Sequence, residues 1–236
     1  MRGKILAILA LTIAAVVGNA DAAMLYEFST TRSATGTYDP TLVTTTAAAN
    51  VIAPNGGTEL DDGVVGLDLF DNKGWDGFSL GNMNGNLSID NEAEFATAYF
   101  ELTVSADAGY TLDLDSLSLN SARGGSTGIR GFEIYAAVDG GAFTYGVSTP
   151  LVDVANETGT RTDPRPVSID LTGAEYQGIE SITFRYYALT DSPGNFVRSI
   201  DFDGWTLVGD VVPEPASLAL LGIGGLTMTI RRRRKA

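Results

Sequence analysis

Carboxylates are nearly the whole chemical repertoire of this chain: 29 Asp and Glu stand against 15 Lys and Arg, with no His and no Cys. Without imidazole or thiol, a Ser-His-Asp triad, a Cys-His pair, an imidazole zinc site and thiol redox chemistry are all excluded. Glycoside hydrolysis survives, because it needs only two carboxylates about 5 to 9.5 Å apart. No pair is singled out among so many. Hard oxygen ligands suit calcium. Asp61, Asp62, Asp68, Asp71, Asn72 and Asp76 surround Gly-containing turns, and Asp201 and Asp203 share a strand face opposite Phe202. Nothing has EF-hand spacing, and turn residues with a solvated strand face account for the same pattern. The expectation is therefore no cofactor and no assigned metal ligand, with a loop-pinning calcium ion as the alternative.

Ligand contacts are sought among aromatic and basic side chains. Trp75, Tyr135, Tyr145, Tyr187 and Trp205 could stack on sugar rings, and Arg123 and Arg130, at either end of a Gly-rich segment, could bond hydroxyls or anionic sugars. Trp205 is assigned to the core, because it shares an apolar strand face with Leu207. Trp75 is the better ligand candidate, lying between Gly74 and Asp76-Gly77 in a polar loop. The Arg123 to Arg130 segment is not a phosphate-binding loop, since it precedes a strand and lacks the Lys-Ser/Thr ending.

The other chemically legible segment is Pro213-Glu214-Pro215, followed by an uncharged stretch from Ala216 to Ile230 and a basic cluster, Arg231, Arg232, Arg233, Arg234 and Lys235. Each proline lacks an N–H and fixes φ, so the motif is expected to be extended and accessible, continuing neither helix nor sheet ladder. The apolar stretch can cross lipid as a helix with its backbone bonded internally. Fifteen residues at about 1.5 Å rise span roughly 22 Å, short of a hydrocarbon core of about 30 Å, so flanking arginines would snorkel or the bilayer thin. Positive charge favours the cytoplasmic side, which places residues before Pro213 outside.

Independent residues give the same orientation at the other end. Arg2 and Lys4 precede an apolar run from Ile5 to Val17, and Ala20-Asp21-Ala22 has the small-x-small pattern of a signal peptidase site, cleaved after Ala22 or Ala23. Three regions follow: a signal peptide at 1–22, an ectodomain at 23–210 and a tail at 211–236.

The tail resembles the PEP-CTERM sorting signal of exported bacterial proteins. The resemblance implies recognition of Pro213, Glu214 and Pro215 by exosortase, a membrane-embedded cysteine transpeptidase, with 216–230 as anchor and Arg231 to Lys235 as the stop-transfer cluster. It further implies transient inner-membrane anchoring, followed by transfer to the cell surface or extracellular matrix.

Between the two signals, residues 24–210 hold 8 Lys and Arg against 27 Asp and Glu. Nucleic acid is excluded as a partner, since binding phosphates requires basic contacts. Strand periodicity runs throughout: Phe100, Leu102 and Val104; Tyr110, Leu112 and Leu114; Phe132 to Val138; Val167, Ile169 and Leu171; and Ile182 to Ala188 all alternate with more polar neighbours. Asp139-Gly140-Gly141 predicts a hairpin into a strand over 143–147, and Ala108-Gly109 another reversal. The apolar parity slips at Asp115-Ser116 and Asp203-Gly204, which predicts bulges. The fold class is all-β, a β-sandwich of jelly-roll type. YFELTV from Tyr99, YTLDLDSLSL from Tyr110 and IDFDGWTL from Ile200 are similar to the jelly-roll ectodomains found ahead of PEP-CTERM tails, which resemble carbohydrate-binding modules. The preferred function is a non-catalytic surface or matrix protein. A carbohydrate-binding module with a polysaccharide partner and a carboxylate-dependent glycoside hydrolase remain the alternatives.

Overall fold

The computed structural model describes residues 22–30, 43–56, 64–65, 69–71, 78–80, 92–96, 99–123, 130–154, 163–190 and 200–214. The expected signal peptide up to Asp21 and the expected membrane segment lie outside these residues. No helix among the described residues is long and apolar enough to cross a membrane.

Two antiparallel sheets face each other. Eight strands carry the architecture: β1 (Ala23–Thr30), β7 (Tyr99–Ala106), β8 (Tyr110–Arg123), β9 (Arg130–Val138), β10 (Val152–Val154), β11 (Arg165–Asp170), β12 (Ser181–Thr190) and β13 (Ile200–Pro213). The first sheet runs β11-β8-β13-β1 and the second β10-β9-β12-β7, so the first strand lies beside the last and the second beside the second-to-last. That is the strand order of a jelly roll. Five short strands extend the edges: β2 (Val43–Ala47) follows β1, β3 (Val51–Ile52) and β4 (Val64–Val65) pair with β7, and β6 (Phe78–Leu80) links β5 (Leu69–Asp71) to the start of β13. One helical turn, α1 (Glu92–Phe95), precedes β7.

The alternating apolar residues meet between the sheets. Leu102 and Val104 of β7, Ile182 and Phe184 of β12, Leu112, Leu114, Leu117 and Leu119 of β8, and Phe132 and Ile134 of β9 are all buried there. Trp205 is 1 % exposed at the centre, as the sequence predicts. It stacks on Phe28 (centroids 6.0 Å apart, 14° between planes) and takes edge contacts from Phe100, Phe184 and Tyr186. Such ring pairs add about 0.5 to 1.5 kcal/mol each beyond area burial.

Both expected bulges occur. Between the pairs Asp203↔Asn120 and Thr206↔Ser118, Gly204 and Trp205 oppose Leu119 alone, with Gly204 at φ +66°, the left-handed first position that glycine takes without penalty. Between Val208↔Ser116 and Gly209↔Leu114 the extra residue is Asp115. These slips return Leu114, Leu117, Trp205 and Leu207 to one face, which is why parity broke in the sequence. A third bulge, at Leu25 of β1, turns both Leu25 and Tyr26 inward.

One predicted hairpin is wrong. Asp139 (φ +51°) and Gly140 (φ +70°) do make the turn, but 143–147 is not a strand. Ser148 N–H donates to Thr144 O at 2.8 Å, and Thr144 N–H donates to Ser148 Oγ at 2.9 Å, closing a local loop. The strand that returns along β9 is β10, entered where Leu151 N–H donates to Ile134 O. Phe143 is drawn across the sheet instead, onto Arg185.

Candidate functional site

Two places bring chemistry together: the end of the sandwich where β13 finishes, and the outer face of the second sheet.

At the sheet end, β13 pairs with β8 as far as Pro213↔Tyr110, and Glu214 N–H then donates to Gly109 O at 2.9 Å. The expectation that Pro213 could not continue a ladder is therefore corrected. In an antiparallel pair, bonded and non-bonded positions alternate. With 214/109 bonded, 212/111 is bonded as well, and 213/110 and 211/112 are not. Leu112 agrees with this, since its N–H and C=O both face away from β13, exchanging bonds with Ile179. Pro213 thus occupies a position where no N–H is required of it on the β8 side, and the missing donor costs nothing. Pro213 is exposed and Glu214 half-buried. Glu214, Glu180 and the Ala106–Tyr110 turn line a hollow of about 260 Å³. The turn is held by Tyr110 N–H donating to Asp107 O, Ala106 N–H to Glu180 O and Asp107 N–H to Asn50 O, with Gly109 at φ +87°.

The start of β1 lies at the same end. Ala23 pairs with Gly209, four residues before Pro213 on the adjacent strand, and Ala22 and Ala23 are exposed. Ala22 and Ala23 of the predicted signal peptidase region and Pro213-Glu214 thus lie at one end of the first sheet. Their separation in sequence gives no hint of it.

On the outer face of the second sheet, the residues that alternate with the core build a second apolar cluster: Phe95, Tyr99, Tyr135, Tyr187 and Leu189, with Phe143 packed against it. Phe95, carried by α1, stacks on Tyr187 (5.4 Å, 15°) and meets Tyr135 edge-on (5.1 Å, 86°). Tyr187 Oη donates to Phe95 O at 2.7 Å, which pins α1 to the sheet. Burial pushes the Tyr187 phenol up to about 12, against the opposing hydrogen bond and charge of Arg185. Tyr135 Oη donates to Glu133 Oε2 at 2.8 Å, and Glu133 is only 6 % exposed. Burial raises the Tyr135 phenol too, reinforced by the hydrogen bond to the Glu133 carboxylate.

Arg185 lies at the margin of this cluster. Its guanidinium carbon is 4.0 Å from the Tyr99 ring centre and 4.2 Å from that of Phe143, and Nε donates to Glu101 Oε2 at 2.7 Å. Burial alone would lower its pKa; the hydrogen bond to Glu101 and the neighbouring phenols outweigh that and hold it charged. Two residues along on the same face, Thr103 and Thr183 share a hydroxyl bond of 2.8 Å.

Of the sequence candidates, Tyr135 and Tyr187 are buried and serve packing, while Tyr145 is 38 % exposed beside Phe95. Trp75 lies outside the described residues. Arg123 ends β8 opposite Ile200 and Arg130 begins β9 opposite Thr190, so the two stand in different sheets. Most of the candidate calcium ligands also fall outside. Among the described residues no group of three or more acidic side chains could hold a metal ion. Glu133, Arg185 and Glu101 were missed by sequence reasoning because they occupy the outward parity, which reads as solvated; Tyr135 and Tyr187 sharing that parity was the available signal.

Comparison with known proteins identifies the tail. Residues 211–235 match the PEP-CTERM protein-sorting motif, and the chain carries that signal. No curated protein matches the chain. Among solved structures, similar folds include the K1 cleaved adhesin domain of Lys-gingipain from Porphyromonas gingivalis (16 % identity, 61 % of this chain and 78 % of that one, TM-score 0.33). Others are the mannan-recognising carbohydrate-binding module TmCBM27 (11 %, 81 % and 99 %, 0.33) and CBM27-1 of Caldicellulosiruptor saccharolyticus in complex with mannohexaose (10 %, 67 % and 97 %, 0.32).

Proposed function

We propose that this chain is an exported, non-catalytic surface protein, sorted through its PEP-CTERM tail by an exosortase-type transpeptidase to serve in the cell envelope or an exopolysaccharide matrix. One observation carries the reading: the motif that begins at 211 is delivered by β13 to the same end of the sandwich as Ala23, where the signal peptide would join. Two membrane-directed segments leaving one end of a domain can both reach one bilayer without threading past it. Opposite ends would have required a linker spanning the sandwich. The non-catalytic part is supported by the engagement of two carboxylates: the buried Glu133 accepts from Tyr135, and the partly exposed Glu101 accepts from Arg185. The test is deletion of residues 213–236 in a host that carries the sorting enzyme. The truncated protein is expected to be exported yet lost from the envelope fraction, and an unchanged destination would overturn the proposal.

A second reading is favoured by Arg185. A guanidinium held between two aromatic rings and a carboxylate is a preorganised donor for sugar hydroxyls at low entropic cost. Retention on a glycan array that is lost in Arg185→Ala would establish it; absence of any retention would remove it.

A further inference from the structure

We propose that the fold itself gates sorting: the Pro-Glu part of the motif is docked as the end of β13, and the processing enzyme acts only when the last pairs of that strand open, back through Val212↔Thr111. The inference rests on the sorting reading and concerns how its motif becomes available.

The geometry argues for release and against recognition in place. An enzyme that reads a peptide in extended form takes its backbone N–H and C=O groups as an added strand. Here the N–H of Glu214 is already given to Gly109 O. Among the described residues the pairing of β1 with β13 stops at Ala23↔Gly209, which leaves 210–214 open on that side. The groups facing the open side are those of the non-bonded positions, 211 and 213, and Pro213 has no N–H to offer. Proline on a sheet edge is a block to strand addition. The docked motif therefore presents one side that is occupied and another that lacks its donor.

The dock is also weak by construction, as a gate must be. Among the described residues beyond Pro213 it consists of one backbone bond, on the 106–110 turn. Glu214 shares its hollow with Glu180 and the Ala106–Tyr110 turn. Strand ends of this kind open locally at far less cost than the whole domain. Opening the pairs up to 212/111 leaves the interlayer core untouched, because Thr111 and Val212 are only half-buried.

The absence of cysteine makes a direct test available. Thr111 and Val212 form a bonded antiparallel pair, with Cα atoms about 5.5 Å apart in such ladders, inside the range that a disulfide accepts. The variant Thr111→Cys with Val212→Cys, made in the full chain and expressed with the sorting enzyme, would carry the chain's single disulfide and leave residues 213 to 215 intact. The readout is conversion of full-length to tail-processed protein in a pulse-chase with mass spectrometry of the C-terminus. Oxidised, the variant is expected to be processed at least tenfold more slowly than the parent; reductant is expected to restore the parental rate, which also verifies that the variant folds. Equal rates in the oxidised and parental proteins would overturn the gate, because the motif would then be read while docked. A parent that keeps its tail in the presence of the enzyme would instead remove the sorting reading, and the gate with it.

Discussion

The two sheets look alike from inside the sandwich and differ on their outer faces. Outside the first sheet the alternate positions are Ser116, Ser118 and Asn120 on β8, Ser168 and Asp170 on β11 and Thr44 and Thr46 on β2, all half-buried or exposed. Outside the second sheet the same parity carries Tyr99, Glu133, Tyr135, Arg185 and Tyr187, and most of these are as buried as the core. Outward parity in a strand therefore fixes which face a side chain occupies, and leaves open whether water covers that face. What decides is whether another segment packs on it; here α1 brings Phe95 and the loop after β9 brings Phe143. The difference also bears on the motif end, since the plain first sheet supplies the strand that carries Pro213.

The sharpest way to break the comparison is Phe95→Ala. Removing a ring that is 4 % exposed should cost about 3 kcal/mol, in the range of core aromatic truncations. Urea denaturation would check it, and a change within about 0.5 kcal/mol, as for a surface residue, would mean that α1 is no lid. Next comes Tyr135→Phe, which takes from the buried Glu133 carboxylate the hydroxyl it accepts from and should cost about 1 to 3 kcal/mol. Its counterpart on the other sheet, Ser118→Ala, should change stability by under about 0.5 kcal/mol. Comparable effects from the two would erase the distinction between the faces. A smaller effect belongs to Arg185→Lys: ammonium keeps the charge and loses the planar stack, but the pair with Glu101 is 18 % and 33 % exposed and screened, so about 1 kcal/mol is the ceiling.

The pH profile gives the finest probe. Tyr187 ionises at about 12 in the folded protein against 10.0 unfolded, so as pH rises past 10 the unfolded state sheds its proton first. Stability from this group is complete below pH 10 and is lost between pH 10 and about 12. Absorbance titration of the phenols against Tyr187→Phe should remove a late-titrating component. If the variant's titration matches the parent's, Tyr187 is not shielded.

Much of this was legible beforehand. Alternation located β7, β8, β9, β11 and β12, and the parity slips located two bulges, because a half-buried strand writes its facing directly into residue order. The motif at 213–215 and the basic cluster at 231–235 were equally plain, being defined by local composition. The strand over 143–147 misled because Phe143 alternates correctly while its ring packs across the outer face. Glu133 and Arg185 were invisible because polar residues at outward parity are indistinguishable from solvated ones until their cover is known.

By itself the sequence determined the all-β class, the acidic, imidazole-free and thiol-free chemistry and the sorting signal, since each depends on residue type and short-range period. Only the tertiary structure decided that Pro213 belongs to a ladder, that Ala23 and Pro213 leave from one end, and that one outer face is a second core. Each of these follows from contacts between segments some forty to nearly two hundred residues apart, and no local pattern encodes which distant strand or loop will come to lie alongside.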